Sequence, residues 1–381
     1  MKITCLNAIS EKGTSLMEGY EFTDDIKEAD AVLVRSAKMH DMEIGGGLLS
    51  VARAGAGVNN IPLDDYAKKG IVVFNTPGQN ANAVKELVTC ALLLAARDVY
   101  GGMKWVEANT DDADIAKTME KAKKQFAGTE IAGKTLAVVG LGAVGAYAAE
   151  AGLAMGMKVL GYDPFLSVNA AWRIDPRVVK YTDLKAMAAD CDYLSVHVPA
   201  TPDTNGMISA EIIAAMKPGS VILNYSRDVL VDEQALAPEL ENGHIAKYFS
   251  DFPNAFSVKM KNTYLTPHLG ASTEEAEENC AVLAAKETMD YLENGNISFS
   301  VNYPMLDMGP KKGPRAAVLA AADESLAGKI EAAFKDCGIE ACLSAKRGDV
   351  SYTLLELANA ASDAQLEAVK AIEGVYRVRS I

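Results

Sequence analysis

LAVVGLGAVGAYAAEAGLAMGMKVLGYD, residues 136–163, is the stretch that decides the fold. Leu136–Val139 is an unbroken apolar run, as a strand buried on both faces requires. Gly140, Gly142 and Gly145 follow in G-x-G-x-x-G spacing, then an Ala-rich helical segment, then a strand-like run, Lys158–Tyr162. That run ends in Asp163, 18 residues past Gly145. The first glycine permits a tight strand-to-helix turn, the second lets backbone approach a pyrophosphate, and the third allows close helix–strand packing. The helix start at Ala143 and Val144 offers free N–H groups to negative charge. An acid about 20 positions on, ending the second strand, can accept from a ribose 2′-hydroxyl. A Gly-rich turn alone would fit any α/β domain; strand, helix, strand and acid in register select a dinucleotide. Pro164 and Phe165 follow Asp163, with no base for a 2′-phosphate, so the expected cofactor is NAD rather than NADP.

Reading outward, DYLSVHVP (192–199), SVILNYS (220–226), IAKYFSDF (245–252) and TYLTP (263–267) supply further strands for this sheet. Upstream, MKITCL, DAVLVRS, LLSVARAGAG and GIVVFNT look like strands of a smaller α/β unit, followed by a helix from Asn82 to Asp98. Residues 99–130 are charged and amphipathic, a solvated helical face or an oligomerisation arm. A helix over roughly 273–292 is expected to return and cover the first unit. The expected architecture is α/β: a Rossmann-type doubly wound parallel sheet (99–269) and a discontinuous flavodoxin-like substrate domain (1–98 and 270–301). A Pro/Gly-rich linker (302–313) then leads to a small ferredoxin-like βαββαβ domain (314–381).

The chain of 381 residues carries a net charge of −14, which argues against nucleic acid or an anionic membrane as partner. Its six cysteines have no C-x-x-C or zinc spacing and read as reduced thiols of a cytoplasmic protein, with no metal expected. MKITCLNAIS lacks a long apolar region, and the longest apolar stretch, near Leu92–Ala96, is far too short to span a bilayer.

RAGAGVNNIP (53–62), FNTPGQNANAVKEL (74–87), the glycine fingerprint, HVPATPDT (197–204), LNYSRDVLVDEQAL (223–236) and TPHLGAST (266–273) occur in this order. Together they resemble the D-isomer-specific 2-hydroxyacid dehydrogenases over residues 1–301, most closely the members acting on 3-phosphoglycerate. The last segment is similar to an ACT regulatory domain. Hydride transfer from a hydroxyl carbon needs a proton carrier beside the hydroxyl and a cation for the carboxylate and keto oxygen. The resemblance implies that His268 is the acid/base and Arg227 the carboxylate-binding cation, whose planar fork suits bidentate contact. It further implies that Asp251 meets the nicotinamide carboxamide, with Pro199, Thr204 and Gly270 on the cofactor side. Arg35, Ser36 and Arg53, with Lys38 close by, match positions that hold a phosphate; a surface salt bridge is the plain alternative for Arg35. Ala56, Gly57 and Asn80 match substrate contacts.

One departure stands out. The family's catalytic glutamate is expected where this chain has Ala255 and Phe256, and no Glu occurs between Glu241 and Glu274. Three readings follow: another carboxylate (Asp251 or Asp228) orients His268, the histidine works unassisted, or the protein senses NAD(H) without efficient catalysis. The implied activity is NAD-dependent oxidation of 3-phosphoglycerate in a cleft between two domains, within a homodimer or tetramer. Reduction of glyoxylate, hydroxypyruvate or another 2-keto acid is the alternative. The ACT-like text AAADESLAGKI lacks the Asn and the Pro-Gly turn usual for amino-acid binding, so dimerisation is expected there rather than serine feedback. His197 reads as structural or cofactor-adjacent, and His40 and His244 as solvated.

Overall fold

Five short strands, β1 (Lys2–Leu6), β2 (Glu21–Phe22), β3 (Ala31–Val34), β4 (Ser50–Arg53) and β5 (Val72–Asn75), form a parallel sheet in the order β2-β1-β3-β4-β5. This is the flavodoxin-like order, whose switch point lies between β1 and β3. The central strand β3 is buried at every position, as its unbroken AVLV run requires. β2 consists of two exposed residues on the sheet edge and carries no hydrophobic pattern.

In this computed structural model, which describes residues 1–381, the chain divides into two compact units. Met1–Asn80 and Glu274–Ile381 make the first, and Ala81–Thr273 the second. The second unit holds seven parallel strands: β6 (Thr135–Val139), β7 (Lys158–Tyr162), β8 (Val179–Tyr181), β9 (Tyr193–Val196), β10 (Ser220–Asn224), β11 (Ile245–Ser250) and β12 (Thr263–Leu265). Their order, β12-β11-β10-β9-β6-β7-β8, reverses between β6 and β9, which sets the Rossmann crevice at the carboxyl ends of those two strands. Edge strand β8 is mostly exposed and, like β2, gives no periodic signal. Helix Ala143–Ala154 follows β6 so closely that a Cβ on Gly145 would lie 1.8 Å from the Gly140 carbonyl oxygen. Gly140 itself turns the chain at φ 88°.

The first unit is completed by an antiparallel sheet of β13 (Arg315–Ala321), β14 (Ile339–Arg347), β15 (Val350–Leu357) and β16 (Val375–Ser380), ordered β14-β15-β13-β16. One face packs Val318 and Leu355 on helices Glu324–Phe334 and Asp363–Lys370 through Ile330, Phe334 and Val369. The other face puts Leu319, Tyr352 and Leu354 into one core with Ile3, Phe74 and Tyr291. The ACT-like module thus shares the core of the sheet β1–β5. Polar ties fix it: the Tyr352 hydroxyl donates to the Gly295 carbonyl (2.6 Å), and Arg379 donates to the carbonyls of Tyr291 and Leu292. Fully buried Arg315 pairs with Glu356 (2.6 Å) and donates to the carbonyls of Asn294 and Gly309. The connecting segment is packed as well, with buried Tyr303 donating to the Ala67 carbonyl. No helix is long and apolar enough to cross a membrane.

Helix Glu274–Asn294 lies over this core and carries one buried carboxyl group without a partner. Glu287 is buried with no hydrogen-bond partner for either carboxylate oxygen, and burial pushes its pKa from 4.5 up to about 9. A raised folded-state pKa means that the native state holds the proton longer, so the contribution to stability falls as pH rises from about 4.5 towards 9. Glu287→Met is therefore expected to raise the thermal midpoint by several degrees at pH 8, and much less at pH 5. Thermal unfolding of both proteins at the two pH values measures the difference; equal shifts would show that Glu287 is not the group responsible.

Candidate active site

The carboxyl ends of β10, β11 and β12 are neighbours, and each delivers one piece of a site. β10 runs into Tyr225, Ser226 and Arg227. Asn224, buried at the end of the strand, donates to the Arg227 carbonyl (2.7 Å) and accepts from the Ser226 amide, fixing this turn. The Arg227 guanidinium folds back on the Ser226 carbonyl, and burial lowers its pKa.

β11 runs into Asp251, which is 1% exposed. Its Oδ1 accepts from the Thr266 hydroxyl (2.6 Å) and the Leu269 amide (2.7 Å), and its Oδ2 from the Gly270 amide (2.6 Å). Its carbonyl accepts from the His268 amide (2.9 Å). These bonds bend the Thr266–Gly270 segment around one carboxylate. Within the bend His268 takes φ 58°, a left-handed conformation that a non-glycine residue adopts only where its surroundings impose it. Gly270 is needed beside it, since a Cβ there would stand 3.1 Å from the Asp251 carboxylate.

Phe252 comes next, half-buried. Its ring lies 4.7 Å from the His268 imidazole, centroid to centroid, and 5.2 Å from the Arg227 guanidinium carbon. The two expected catalytic side chains therefore meet at a ring that motif matching does not single out. Beyond it, Asn254 caps the following turn by accepting from the Phe256 and Ser257 amides (2.9 Å each). Its amide group donates to Glu233 (2.8 Å), a buried carboxyl whose pKa burial raises. Ala255 and Phe256, at the positions of the expected glutamate, belong to this tied turn. Asp228 lines a pocket of about 410 Å³ with Glu233, Asn254 and Phe256.

At the end of β7 the Asp163 carboxylate accepts from the Leu141 and Phe165 amides, which aims it over the glycine turn. A pocket of about 480 Å³ opens there, lined by Leu141, Asp163, Ile174 and Lys180. Lys180 is a base that adjacency to Asp163 in the chain does not disclose; it arrives on the neighbouring strand β8. A Cβ on Gly142 would meet open space, so the start of helix Ala143–Ala154, with Ala143 and Val144, faces room for a ligand. These features fit a dinucleotide. The Thr204 hydroxyl donates to the Pro199 carbonyl (2.7 Å) and closes the loop after β9. His197 is half-buried: Nε2 meets the Ser195 hydroxyl, the buried Nδ1 has no hydrogen-bond partner, and desolvation pushes its pKa down to about 4. His244, expected in solvent, instead folds back from Gly243 onto Glu239 (2.8 Å) and the Met216 carbonyl (2.9 Å).

The first unit brings Arg35, Ser36 and Arg53 together at the carboxyl ends of β3 and β4. Asn7, after β1 at the switch point, accepts from the amides of Arg35, Ser36 and Ala37 at 2.9–3.1 Å, an organising residue that no sequence motif marked. Arg53 Nε donates to the Arg35 carbonyl, and the Arg35 guanidinium pairs with Glu277 (2.6 Å). Asn75 donates to the Ala56 carbonyl beside Gly57, and half-buried Asn80 lies beyond β5. No group of three or more His, Cys, Asp or Glu side chains is arranged to hold a metal ion.

Asp251 is the most heavily used group in this arrangement. Asp251→Ala leaves buried donors unpaired and is expected to cost about 3 kcal/mol in urea unfolding; Asp251→Asn, which keeps an acceptor, should cost less. Equal stability of the alanine variant and the wild type would refute the organising role.

Residues 90–270 match the model of the D-isomer specific 2-hydroxyacid dehydrogenase NAD-binding domain. The chain is 38% identical over 302 residues to a D-3-phosphoglycerate dehydrogenase of Synechocystis, covering 77% of this chain and 52% of that protein. It is 36% identical over 313 residues to the D-3-phosphoglycerate dehydrogenase of Mycobacterium bovis, covering 77% of this chain and 57% of the relative. The chain thus spans about half the length of the curated relatives it matches. Among solved structures, the NAD⁺-bound 3-phosphoglycerate dehydrogenase of Entamoeba histolytica superposes with a TM-score of 0.63 at 28% identity, over 80% of this chain and 99% of that one. With the fingerprint, the strand order and the TPHLGAST turn in place, residues 90–270 form the NAD-binding domain of a D-isomer-specific 2-hydroxyacid dehydrogenase.

Proposed function

We propose that the protein is an NAD-dependent dehydrogenase that oxidises 3-phosphoglycerate to 3-phosphohydroxypyruvate, the first step of serine synthesis. The observation that carries this is the meeting of Arg227 and His268 on Phe252, beside the strand ends that frame the glycine turn. NAD, when bound, supplies the hydride acceptor. Gly140–Gly145 and Asp163 hold its pyrophosphate and ribose, with Pro199, Thr204, Asp251 and Gly270 on the nicotinamide side. The His268 imidazole takes the proton of the C2 hydroxyl during oxidation and returns it during reduction. Arg227 grips the carboxylate and stabilises the negative charge that develops on the C2 oxygen. Partial burial of the guanidinium strengthens both contacts, because less water competes. Arg35 and Arg53, with Ser36, take the phosphate, while Ala56, Gly57 and Asn80 hold the rest of the substrate.

A second reading, reduction of unphosphorylated 2-keto acids, is favoured by one observation: Arg35 already carries a carboxylate partner in Glu277. A homodimer or tetramer is supported by helices Val99–Ala108 and Ile115–Ala122, which bury no residue of their own while exposing Met103 and Val106. A cytoplasmic setting agrees with six free cysteines.

NADH oxidation with phosphohydroxypyruvate, hydroxypyruvate and glyoxylate separates these readings. The phosphorylated acid should give the highest kcat/KM, and His268→Ala should lower it by at least about 100-fold. Arg35→Ala should raise KM for the phosphorylated acid alone, by roughly 10-fold. Undiminished rates in the His268 variant would defeat the catalytic assignment; a preference for hydroxypyruvate or glyoxylate would defeat the phosphate assignment.

A further inference from the structure

Phe252 is a large apolar side chain that takes part in none of the chain's five hydrophobic clusters. It stands half-buried in the loop after β11, with the Arg227 guanidinium carbon 5.2 Å and the His268 ring 4.7 Å from its centroid. Its two ring contacts are with the Arg227 guanidinium and the His268 imidazole.

We infer that Phe252 is a positioning residue for the reaction, holding the Arg227 guanidinium and the His268 imidazole in one frame through the two sides of its electrostatic character. This rests on the catalytic reading of those two residues given above. The ring face is negative and attracts a guanidinium, and a tilted ring pair (52° here) is a favoured aromatic geometry. A shared ring also limits the reach of the pair, since guanidinium and imidazole can be no further apart than their two ring distances combined. A 2-hydroxy acid needs that: its carboxylate and its hydroxyl sit on adjacent carbons, so cation and proton carrier must be registered against each other. The backbone fixes the ring in turn, because Phe252 directly follows Asp251 and its amide donates to the Ser250 hydroxyl (3.2 Å). Three independent tethers then converge: Asn224 on the Arg227 turn, Asp251 on the His268 turn, and Phe252 between the side chains.

The test uses Phe252→Leu, which keeps apolar bulk and removes the ring, and Phe252→Tyr, which keeps the ring. In the full-length protein without substrate, the His268 ring protons should show a ring-current shift in NMR spectra, assigned by their loss in His268→Ala. That shift should vanish in the leucine variant and persist in the tyrosine variant. In the 2-keto acid assay the leucine variant should lose about 10- to 100-fold in kcat. The acid limb of its pH profile should move to lower pH, as the imidazolium loses its aromatic neighbour, while NADH affinity and thermal midpoint stay unchanged. The tyrosine variant should return to within a few-fold of wild type. Absence of the ring-current shift in the wild type overturns the inference, and so does a leucine variant with wild-type kcat and pH profile. Parallel loss of NADH binding and thermal stability in the leucine variant would show a merely structural role. An active His268→Ala variant would sink the catalytic reading itself, an outcome distinct from these.

Discussion

One buried carboxylate holds the expected catalytic turn in shape. Asp251 lies at the end of β11 and gathers the Thr266 hydroxyl and the amides of Leu269 and Gly270 around its two oxygens. Charge-assisted bonds in a water-poor setting are stronger than neutral ones, and they hold here a segment that would otherwise relax. His268 stays in a left-handed backbone conformation because its amide is tied to the Asp251 carbonyl and its neighbours to the Asp251 side chain. The direction in which the imidazole leaves the chain thus depends on a group that need not touch the imidazole. The same dependence explains Gly270: the carboxylate sits so close that a side chain there would crowd it.

The first unit is organised by a comparable economy. Its parallel sheet is covered on one side by helix Glu274–Asn294, and the C-terminal strands β13–β16 complete the core rather than hanging from a tether. Leu319, Tyr352 and Leu354 face that core, and Arg315 and Arg379 use buried guanidiniums to satisfy carbonyls at the end of the same helix. Carbonyls at a helix C-terminus lack partners within the helix, and cations complement the negative end of its dipole. The ACT-like sheet is therefore engaged on both faces. That helix is one of several attachments, since Arg377 also donates to the Gly46 and Lys69 carbonyls and Arg347 to the Ser300 carbonyl.

The architecture was legible because its signals are local and periodic. Buried strands such as AVLV and LAVV advertise themselves as apolar runs, and the fingerprint packs a turn, a helix start and an acid into one short window. His268 and Arg227 were reachable only through motifs, since neither a lone histidine after proline nor an arginine after a strand carries a physical signature of its own. The structure added contacts between residues distant in the chain. Asn7 meets the amides of 35–37 because β1 and β3 are adjacent, and Lys180 joins the Asp163 pocket because β8 lies beside β7. β2 and β8 themselves are exposed edges whose pairing rests on backbone bonds, for which composition gives no clue. His244 escaped in the same way, its environment being set by the turn at Gly243.

Ala255 and Phe256 become intelligible in this setting. The turn that carries them is fastened by Asn254 to Glu233, a carboxyl that burial already disfavours as an anion and that the Tyr248 hydroxyl also approaches. A second carboxylate on that turn would lie near the first, and like charges raise one another's cost of ionisation. The chain instead keeps the turn neutral and commits its charge to Asp251, one strand end away, where three donors receive it. The backbone of the expected catalytic turn is thereby fixed from Asp251, through the His268 amide on its carbonyl and the Leu269 and Gly270 amides on its carboxylate.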